Sequence, residues 1–470
     1  MARVAKKETP LTPEEKLAQA LVPEAEQPYQ IPENWQYYKI SGIAMRIKRG
    51  KAPKYVPESE IPVFAQKCNQ KDGTISLEKA QFLNPEMMAK ITDDEFLQDK
   101  DIIINSTGTG TLGRVGFYKE EFAFPYTKVL PDSHVTVVRT SKIVNQKYLF
   151  FFLKSKQDYL EQSGVGTTNQ KELHPEVVRE MPVPLPPLPE QQRIVDRVES
   201  LFAKLDEAKE KAQAVVDGFE DRKASILHKA ITGELTNQWR ISNDISYSTW
   251  TLKRIDQISY PRAGFAFDSK KFTDNGFQIV RMGNLYGGTL DLSRNPVFIR
   301  PEDVEENAMT RALINDGDIL ITLTGTKYKR DYGYAVCIRG KKDLLVNQRI
   351  LCLSPSDMVI TNYLLYYLQS DVFRDVFFSN ETGGVNQGNV SSKFVESIEI
   401  ALPLIKEQQK IVEILDGFFE RETMALETAE QVIDQIDIMK KSILARAFRG
   451  ELGTNDPADE NAEELLKRIL

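Results

Sequence analysis

One stretch occurs twice in this chain, and that repetition limits its fold more than any other feature. The first copy runs from Pro184 to Leu235 and the second from Ala401 to Leu452. They lie about 217 positions apart and align without a gap from Glu190/Glu407 onward, with about 19 identities in about 46 positions. Both copies open with Glu-Gln-Gln and close with Ser-Ile-Leu and Gly-Glu-Leu. In the first copy, Ile194, Val198, Leu201, Leu205, Ala208, Ala212, Val215 and Phe219 alternate spacings of four and three. In the second, Ile411, Leu415, Phe418, Ala425, Ala429, Val432, Ile436, Met439 and Ile443 keep the same phase, with Glu422 as the one interruption. This is a heptad seam, so each copy is expected to be one long helix. The Pro-rich segments set the starts, and Gly233 and Gly450 stand where C-terminal caps belong. A heptad helix needs a partner for its seam, and the chain supplies one of equal length. The expectation is an intramolecular antiparallel coiled coil. The alternative is that each helix packs on its neighbouring globular half.

A chain of 470 residues exceeds a single domain, and 41% apolar residues are enough for real cores. No apolar run reaches membrane-spanning length, and the N-terminus lacks the apolar centre of a signal peptide. A cytoplasmic protein with no membrane association is expected. Cys68, Cys337 and Cys352 have neither metal-site spacing nor the even number of a disulfide framework. The net charge of -7 is not that of an autonomous nucleic-acid binder. However, Arg46, Lys48, Arg49, Lys51 and Lys54 cluster, as do Lys327, Lys329 and Arg330, so DNA contact requires local basic patches.

Taken in order, residues 1–28 read as a tail with a short helix opened by Thr12-Pro13-Glu14-Glu15. Residues 29–183 form a first globular half, with strands expected near 61–64, 101–104 and 134–138 and a helix over 145–159. The first long helix follows (184–236), then a connector and second half (237–400), the distal helix (401–453) and an acidic tail (454–470). The halves match beyond the helices. Trp35 corresponds to Trp250, Asp101-Ile102-Ile103-Ile104 to Asp318-Ile319-Leu320-Ile321, and Thr107-Gly108-Thr109 to Thr324-Gly325-Thr326. Gly116 is paired with Gly333 and Asn169-Gln170 with Asn386-Gln387. One frame with two different sets of loops suggests two related readings of one polymer.

At this point the chain resembles the DNA sequence-specificity subunits of type I restriction-modification systems, over nearly its whole length. The resemblance rests on Pro186-Pro187-Leu188-Pro189-Glu190-Gln191, Ser225-Ile226-Leu227 and Thr232-Gly233-Glu234-Leu235, with their second copies. Gly317-Asp318-Ile319-Leu320-Ile321 and Val346-Asn347-Gln348 add to it. Leu404-Ile405 departs from the usual second Pro-Leu at the distal helix entry. The resemblance implies two α/β target recognition domains separated by two long helices forming an antiparallel coiled coil, with a pseudo-two-fold repeat. Each domain would read one half of a bipartite, asymmetric double-stranded DNA site. The helices would set the spacer and dock two modification (methyltransferase) subunits. S-adenosylmethionine, ATP and Mg would sit on partner subunits, including restriction (translocase-nuclease) subunits, and none on this chain.

The residues agree that catalysis lies elsewhere. No Walker motif and no amino-methyltransferase Asn-Pro-Pro-aromatic motif occurs, and His134, His174 and His228 are scattered. Gly108-Thr109-Gly110-Thr111-Leu112-Gly113 matches a dinucleotide fingerprint, but it continues into the strand-like Arg114-Val115-Gly116-Phe117-Tyr118 instead of a helix. A DNA-reading loop suits it better. Ser106, Thr107, Thr109, Thr111 and Arg114 offer hydroxyls and a guanidinium. Thr322, Thr324, Thr326, Lys327, Tyr328, Lys329 and Arg330 offer the same with more charge. Asn169, Gln170 and Lys171, with Asn386, Gln387 and Asn389, are second candidates, because side-chain amides pair with adenine. The plainer alternatives are a solvated hairpin and loop-capping hydrogen bonds. Two rival functions are a coiled-coil scaffold with two protein-binding heads and a fused methyltransferase or nuclease.

Overall fold

The computed structural model describes residues 12–71, 73–167 and 171–464. The chain divides into two compact units. One joins the residues up to Lys211 with those from Val432 onward; the other runs from Ala212 to Gln431. Each unit therefore holds one globular half, the start of the helix that follows it, and the end of the other helix.

The two globular halves have the same topology. In the first, an antiparallel sheet has the order Ala44–Arg49, Val135–Thr140, Ile102–Asn105, Val115–Phe117. In the second, the order is Ser259–Ala263, Ile350–Pro355, Ile319–Thr322, Ala335–Cys337. The central strands Ile102–Asn105 and Ile319–Thr322 are buried at every position, which explains their unbroken apolar runs. A second, mixed sheet in each half contains one parallel pair: Pro62–Phe64 with Leu130–Pro131, and Phe277–Val280 with Leu344–Val346.

The aspartate just before each central strand is buried against an arginine. Asp101 meets Arg139 at 2.7 Å, and Asp318 meets Arg262 at 2.5 Å. Burial pushes the Asp101 carboxyl above the usual carboxylate range even with that guanidinium beside it. The expected helix over 145–159 is split into Gln146–Ser155 and Gln157–Gln162. Asn145 caps it, accepting from the Lys147 and Tyr148 amides.

The pairing of Gly116 with Gly333 is corrected by register. Ile103 lies opposite Gly116, while its counterpart Leu320 lies opposite Val336. Gly333 corresponds instead to Gly113. Both have a φ of 72°, and their amides donate to Asn105 and Thr322 at equivalent strand ends. The intervening loop is longer in the second half, and that shifted the alignment.

The first long helix is interrupted once. It runs Leu188–Asp217 and resumes as Phe219–Ile231, while the distal helix Ile405–Ala447 is continuous. Gly218 stands at the break, where an added Cβ would fall 2.5 Å from the Arg222 guanidinium. That guanidinium donates to the Val215 carbonyl and pairs at 2.8 Å with Glu422. Glu422, the one polar intrusion in the distal seam, thus meets an arginine of the facing helix. A charge inside a heptad seam is tolerable when paired, and such a pair fixes register.

The helices run antiparallel within each unit. In the first, Asp206 pairs with Lys440 and Lys209 with Asp437. The helix ends also pack on the globular halves. Ile194, Val195 and Val198 share the first core with Leu444, Ala447 and Phe448. Leu227, Ala230 and Ile231 share the second with Ile411 and Leu415. Seam and globular packing thus coexist. Val432 and Met439, expected in the seam, are 38% and 48% exposed, while Ile436 is buried. An α-helix drifts about 20° per heptad against a strict seven-residue repeat, which carries such positions off the contact line.

Glu-Gln-Gln has a specific role at each helix start. The Gln191 Oε1 accepts the Asn145 amide at 2.8 Å, and its Nε2 donates to the Pro186 carbonyl at 3.0 Å. Gln408 repeats this with the Ile360 amide and the Pro403 carbonyl. The preceding glutamates are buried and hold the matched tryptophans, Trp35 to Glu190 at 2.7 Å and Trp250 to Glu407 at 3.0 Å. Glu190 also accepts from Asn455, whereas Glu407 accepts from Thr236 and pairs with Arg240 at 2.6 Å. Gly233 and Gly450 take left-handed φ beyond the helix ends, as caps do.

The Glu407–Arg240 pair is almost fully buried, at 0% and 6% side-chain exposure. Arg240→Met should therefore destabilise the second unit by about 3–5 kcal/mol, because it strands a buried carboxylate. Denaturant unfolding of the variant checks this; a loss below about 1 kcal/mol would mean that the pair is not what holds this corner.

Candidate nucleic-acid interface

The two sets of candidate loops are distant in sequence but adjacent in space, in both halves. In the first, the Leu173 amide donates to the Ser106 carbonyl at 2.8 Å, and Thr107 bridges to Glu172. In the second, the Val390 amide donates to the Leu323 carbonyl at 2.9 Å. There Thr324–Gly325 forms a short antiparallel sheet with Gly388–Asn389. The strand-end register places both loops at one edge of the central strand.

In the first half, several candidates are occupied within the protein. Ser106 is buried, its hydroxyl 2.6 Å from that of Thr136, so it anchors the strand end instead of facing solvent. The Thr107 hydroxyl lies 2.8 Å from His134 Nδ1, and Thr111 reaches back to the Thr107 carbonyl. Arg114 donates to the Asn69 carbonyl at 2.7 Å, stapling the loop. Thr109 and Lys171 are exposed. Asn169 and Gln170 lie outside the described residues. The glycine-rich run ends in the strand Val115–Phe117, so it lacks the helix N-terminus that a phosphate cradle uses. Gly113 is required by packing, since a Cβ there would lie 2.6 Å from the Glu161 amide nitrogen.

The basic cluster near Arg46 is largely spent on internal pairs. Arg49 pairs with Glu172, and its guanidinium holds that carboxyl below the usual range. Lys51 pairs with Glu95 at 2.7 Å, and Arg46 donates to the Asp94 carbonyl. Lys48 is exposed.

In the second half, Thr322 is buried and accepts the Tyr334 amide, and Thr324 donates to the Met282 sulfur. These two build the loop's base. Above them, the Thr326 amide donates to Asp331 at 2.7 Å, and Lys327 donates to the Gly383 carbonyl at 3.2 Å. Arg330 pairs with Asp375 at 2.8 Å, and Lys329 is exposed. Tyr328 is 82% exposed. Glu381 braces both loops, accepting from the Tyr332 hydroxyl at 2.7 Å and the Tyr328 amide at 3.3 Å. Burial, followed by that carboxylate, pushes the Tyr332 phenol well up. Asn386 and Gln387 are exposed, and Asn389 is half-buried in the short sheet. Tyr328, Arg330 and Asn386 all hold left-handed φ without being glycine. Such a concentration of strained backbone is typical of functional loops.

Beside these loops lie two adjoining cavities of about 400 and about 520 Å³. Both are lined by Met282, Gly283 and Arg349; Arg281, Arg294, Asn284, Asn295 and Asn347 complete one, and Tyr286, Tyr334, Asn386 and Gln387 enter the other. Arg281, Arg294, Arg349 and Tyr286 are not among the residues that the sequence singles out. The only available signal was that Arg349 follows the Asn347-Gln348 motif. Positive charge, aromatic faces and side-chain amides in one concave surface are the chemistry of a nucleic-acid groove. Among the described residues, no group of three or more His, Cys, Asp or Glu is placed to hold a metal ion, and no helix is long and apolar enough to cross a membrane.

The family described as type I restriction modification DNA specificity domain matches residues 32–216 and again 247–436. The chain belongs to this family. The type I restriction enzyme EcoDI specificity subunit of Escherichia coli is 48% identical over 326 residues, covering 66% of this chain and 71% of that protein. The EcoKI specificity subunit of E. coli K12 is 22% identical over 434 residues, covering 90% of each. The crystal structure of the HsdS subunit from Thermoanaerobacter tengcongensis has the same fold, with a TM-score of 0.60 at 17% identity over 91% of this chain and 100% of that one. A chain solved in work on complex assembly and conformational transition of the type I R-M system gives a TM-score of 0.62 at 17% identity, over 90% and 100%. This specificity subunit thus carries its specificity domain twice, and the scaffold reading gives way to that.

The bracing role of Glu381 can be tested directly. Glu381→Ala should strand the buried Tyr332 hydroxyl, at about 1–3 kcal/mol, and speed amide hydrogen exchange across residues 326–331. Glu381→Gln, which keeps an acceptor oxygen, should do less. Unchanged exchange in the Ala variant would show that the loop is held by other contacts.

Proposed function

We propose that this chain is the non-catalytic, sequence-reading subunit of a type I restriction-modification complex. Each α/β domain reads one half of a bipartite, asymmetric double-stranded DNA site through its paired loops. The two long helices set the spacer and dock two adenine methyltransferase subunits. S-adenosylmethionine, ATP and Mg belong to the modification and restriction subunits, and the assembly works in the cytoplasm. One observation carries this reading: a single sheet frame occurs twice, with loop chemistry that differs between copies at the same strand edge. A catalytic repeat would keep its loop residues the same, whereas two readers of different half-sites must not. The printed names of the relatives, specificity subunits of type I restriction enzymes, support it.

Domain replacement tests the proposal. Exchanging residues 29–183 for the matching segment of another family member should change one half-site of the methylation motif and leave the other intact. A change in both halves, or in neither, would sink the modular reading.

Charge in the second loop should contribute to phosphate contact. Joint Lys327→Ala, Lys329→Ala and Arg330→Ala changes should weaken DNA binding by the assembled complex. The salt slope should fall by about 1 for each cation that meets a phosphate. An unaltered slope with the fold intact would place this loop away from the backbone.

A further inference from the structure

We propose that Arg349 reads a base edge, a guanine in the half-site of the second domain; this rests on the DNA-reading function proposed above. Arg349 sits in the turn between Leu344–Val346 and Ile350–Pro355. Its carbonyl accepts the Leu323 amide at 3.0 Å, and the Asn347 amide beside it donates to Val280 at 3.1 Å. The turn that carries Arg349 is thus tied at one point to the end of the central strand and at another to the end of Phe277–Val280, which is the rigid mounting that base readout needs. Its side chain lines both cavities, so it lies where they join.

The guanidinium has no hydrogen-bond, ion-pair or ring partner among the described residues. The other two arginines of the groove are held by the protein. Arg281 donates to the Asn295 carbonyl at 2.6 Å, and Arg294 lies over the Tyr286 ring at 5.4 Å. Among the described residues, Asp331 is the one acid that lines the cavities, and it is occupied by the Thr326 amide. An arginine fork presents five N–H donors in a plane, and guanine O6 and N7 form a matching pair of acceptors in the major groove. The neighbours favour a base over a phosphate. Asn347, Asn386 and Gln387 are side-chain amides suited to base edges, while Met282 and Tyr332 add apolar surface that a phosphate would not use. In the first half the equivalent position, defined by the carbonyl that accepts the Ser106 amide, is His134, and its ring is engaged with Thr107. The two domains therefore differ in chemistry at one fixed point of a shared frame.

The experiment maps methylated adenines made by the complete complex containing the wild type, Arg349→Ala or Arg349→Lys, with salt-dependent binding measured alongside. The half-site of the second domain is identified by the domain replacement described above. The wild-type half-site should contain a G·C pair. Arg349→Ala should lose discrimination at that one position, roughly ten- to hundred-fold, and Arg349→Lys, which keeps the charge but not the planar fork, should lose part of it, leaving the other half-site unchanged in both. Lys should keep the wild-type salt slope. A half-site without G·C, or an unchanged motif in both variants, overturns the assignment. So does equal weakening on all sequences with a lower salt slope in Arg349→Ala, which would make Arg349 a phosphate contact. If methylation by the Ala variant is too weak to map, the Lys variant decides by the same criteria; if neither can be mapped, selection of bound duplexes from a randomised pool decides. If the wild-type complex gives no bipartite motif, or domain replacement leaves it unchanged, the proposed function itself has failed.

Discussion

The architecture depends on a buried carboxylate and a buried amide at the start of each long helix. Glu190 and Glu407 each orient a tryptophan that stands immediately before the first strand of a globular half, and Gln191 and Gln408 each tie down the amide that precedes a sheet-covering helix. An unpaired buried polar group costs more than a hydrogen bond returns, so these four side chains tolerate few other partners. They make the junction between domain and helix a fixed geometry instead of a hinge. The repeat preserves Glu-Gln for that reason, although the glutamate partners differ: Arg240 neutralises Glu407, while Glu190 relies on an indole, an amide and a hydroxyl.

Against that constant frame, the loops are free to vary. Thr322 and Ser106 hold equivalent strand ends by buried hydrogen bonds, so the backbone leaves each sheet at the same place. Beyond them the first half has a tight glycine-rich turn, and the second has a longer loop braced by Glu381, Asp331 and Asp375. Rigid bases with variable tips allow the surface to change without repacking the core.

The same division explains what the sequence could show. The helices, their caps and the central strands were legible because periodicity, glycine and apolar runs are local signals. The polar role of Glu-Gln-Gln was visible only as repetition; its partners Asn145 and Ile360 lie far along the chain. Gly116 was mispaired because loop lengths differ, and Val432 and Met439 were misplaced because a seven-residue count ignores helical drift. The groove arginines were missed for another reason. Arg281, Arg294 and Arg349 come from three separate turns, and only the parallel strand pairing of Phe277–Val280 with Leu344–Val346 brings the first and last together. A hydroxyl suits either role, internal anchor or DNA contact; burial decides between them, and burial is not a local property.

The first unit takes its core from both ends of the chain. Tyr148 and Phe152 pack edge-on against Phe448, and Glu190 accepts from Asn455. A ribosome delivers residues in order, so the first half leaves the exit tunnel long before Phe448 is made. Until then its helical face is an open apolar surface beside a partly solvated carboxylate. The second unit has no such delay, since its residues from Ala212 to Gln431 are contiguous. The domain synthesised first is thus the one completed last, and it must wait through synthesis of the other in an unfinished state. Closing so large a loop is entropically slow, and exposed apolar surface during the wait favours aggregation. Chaperone dependence during synthesis would then fall mainly on the N-terminal half, even though the two halves share one fold.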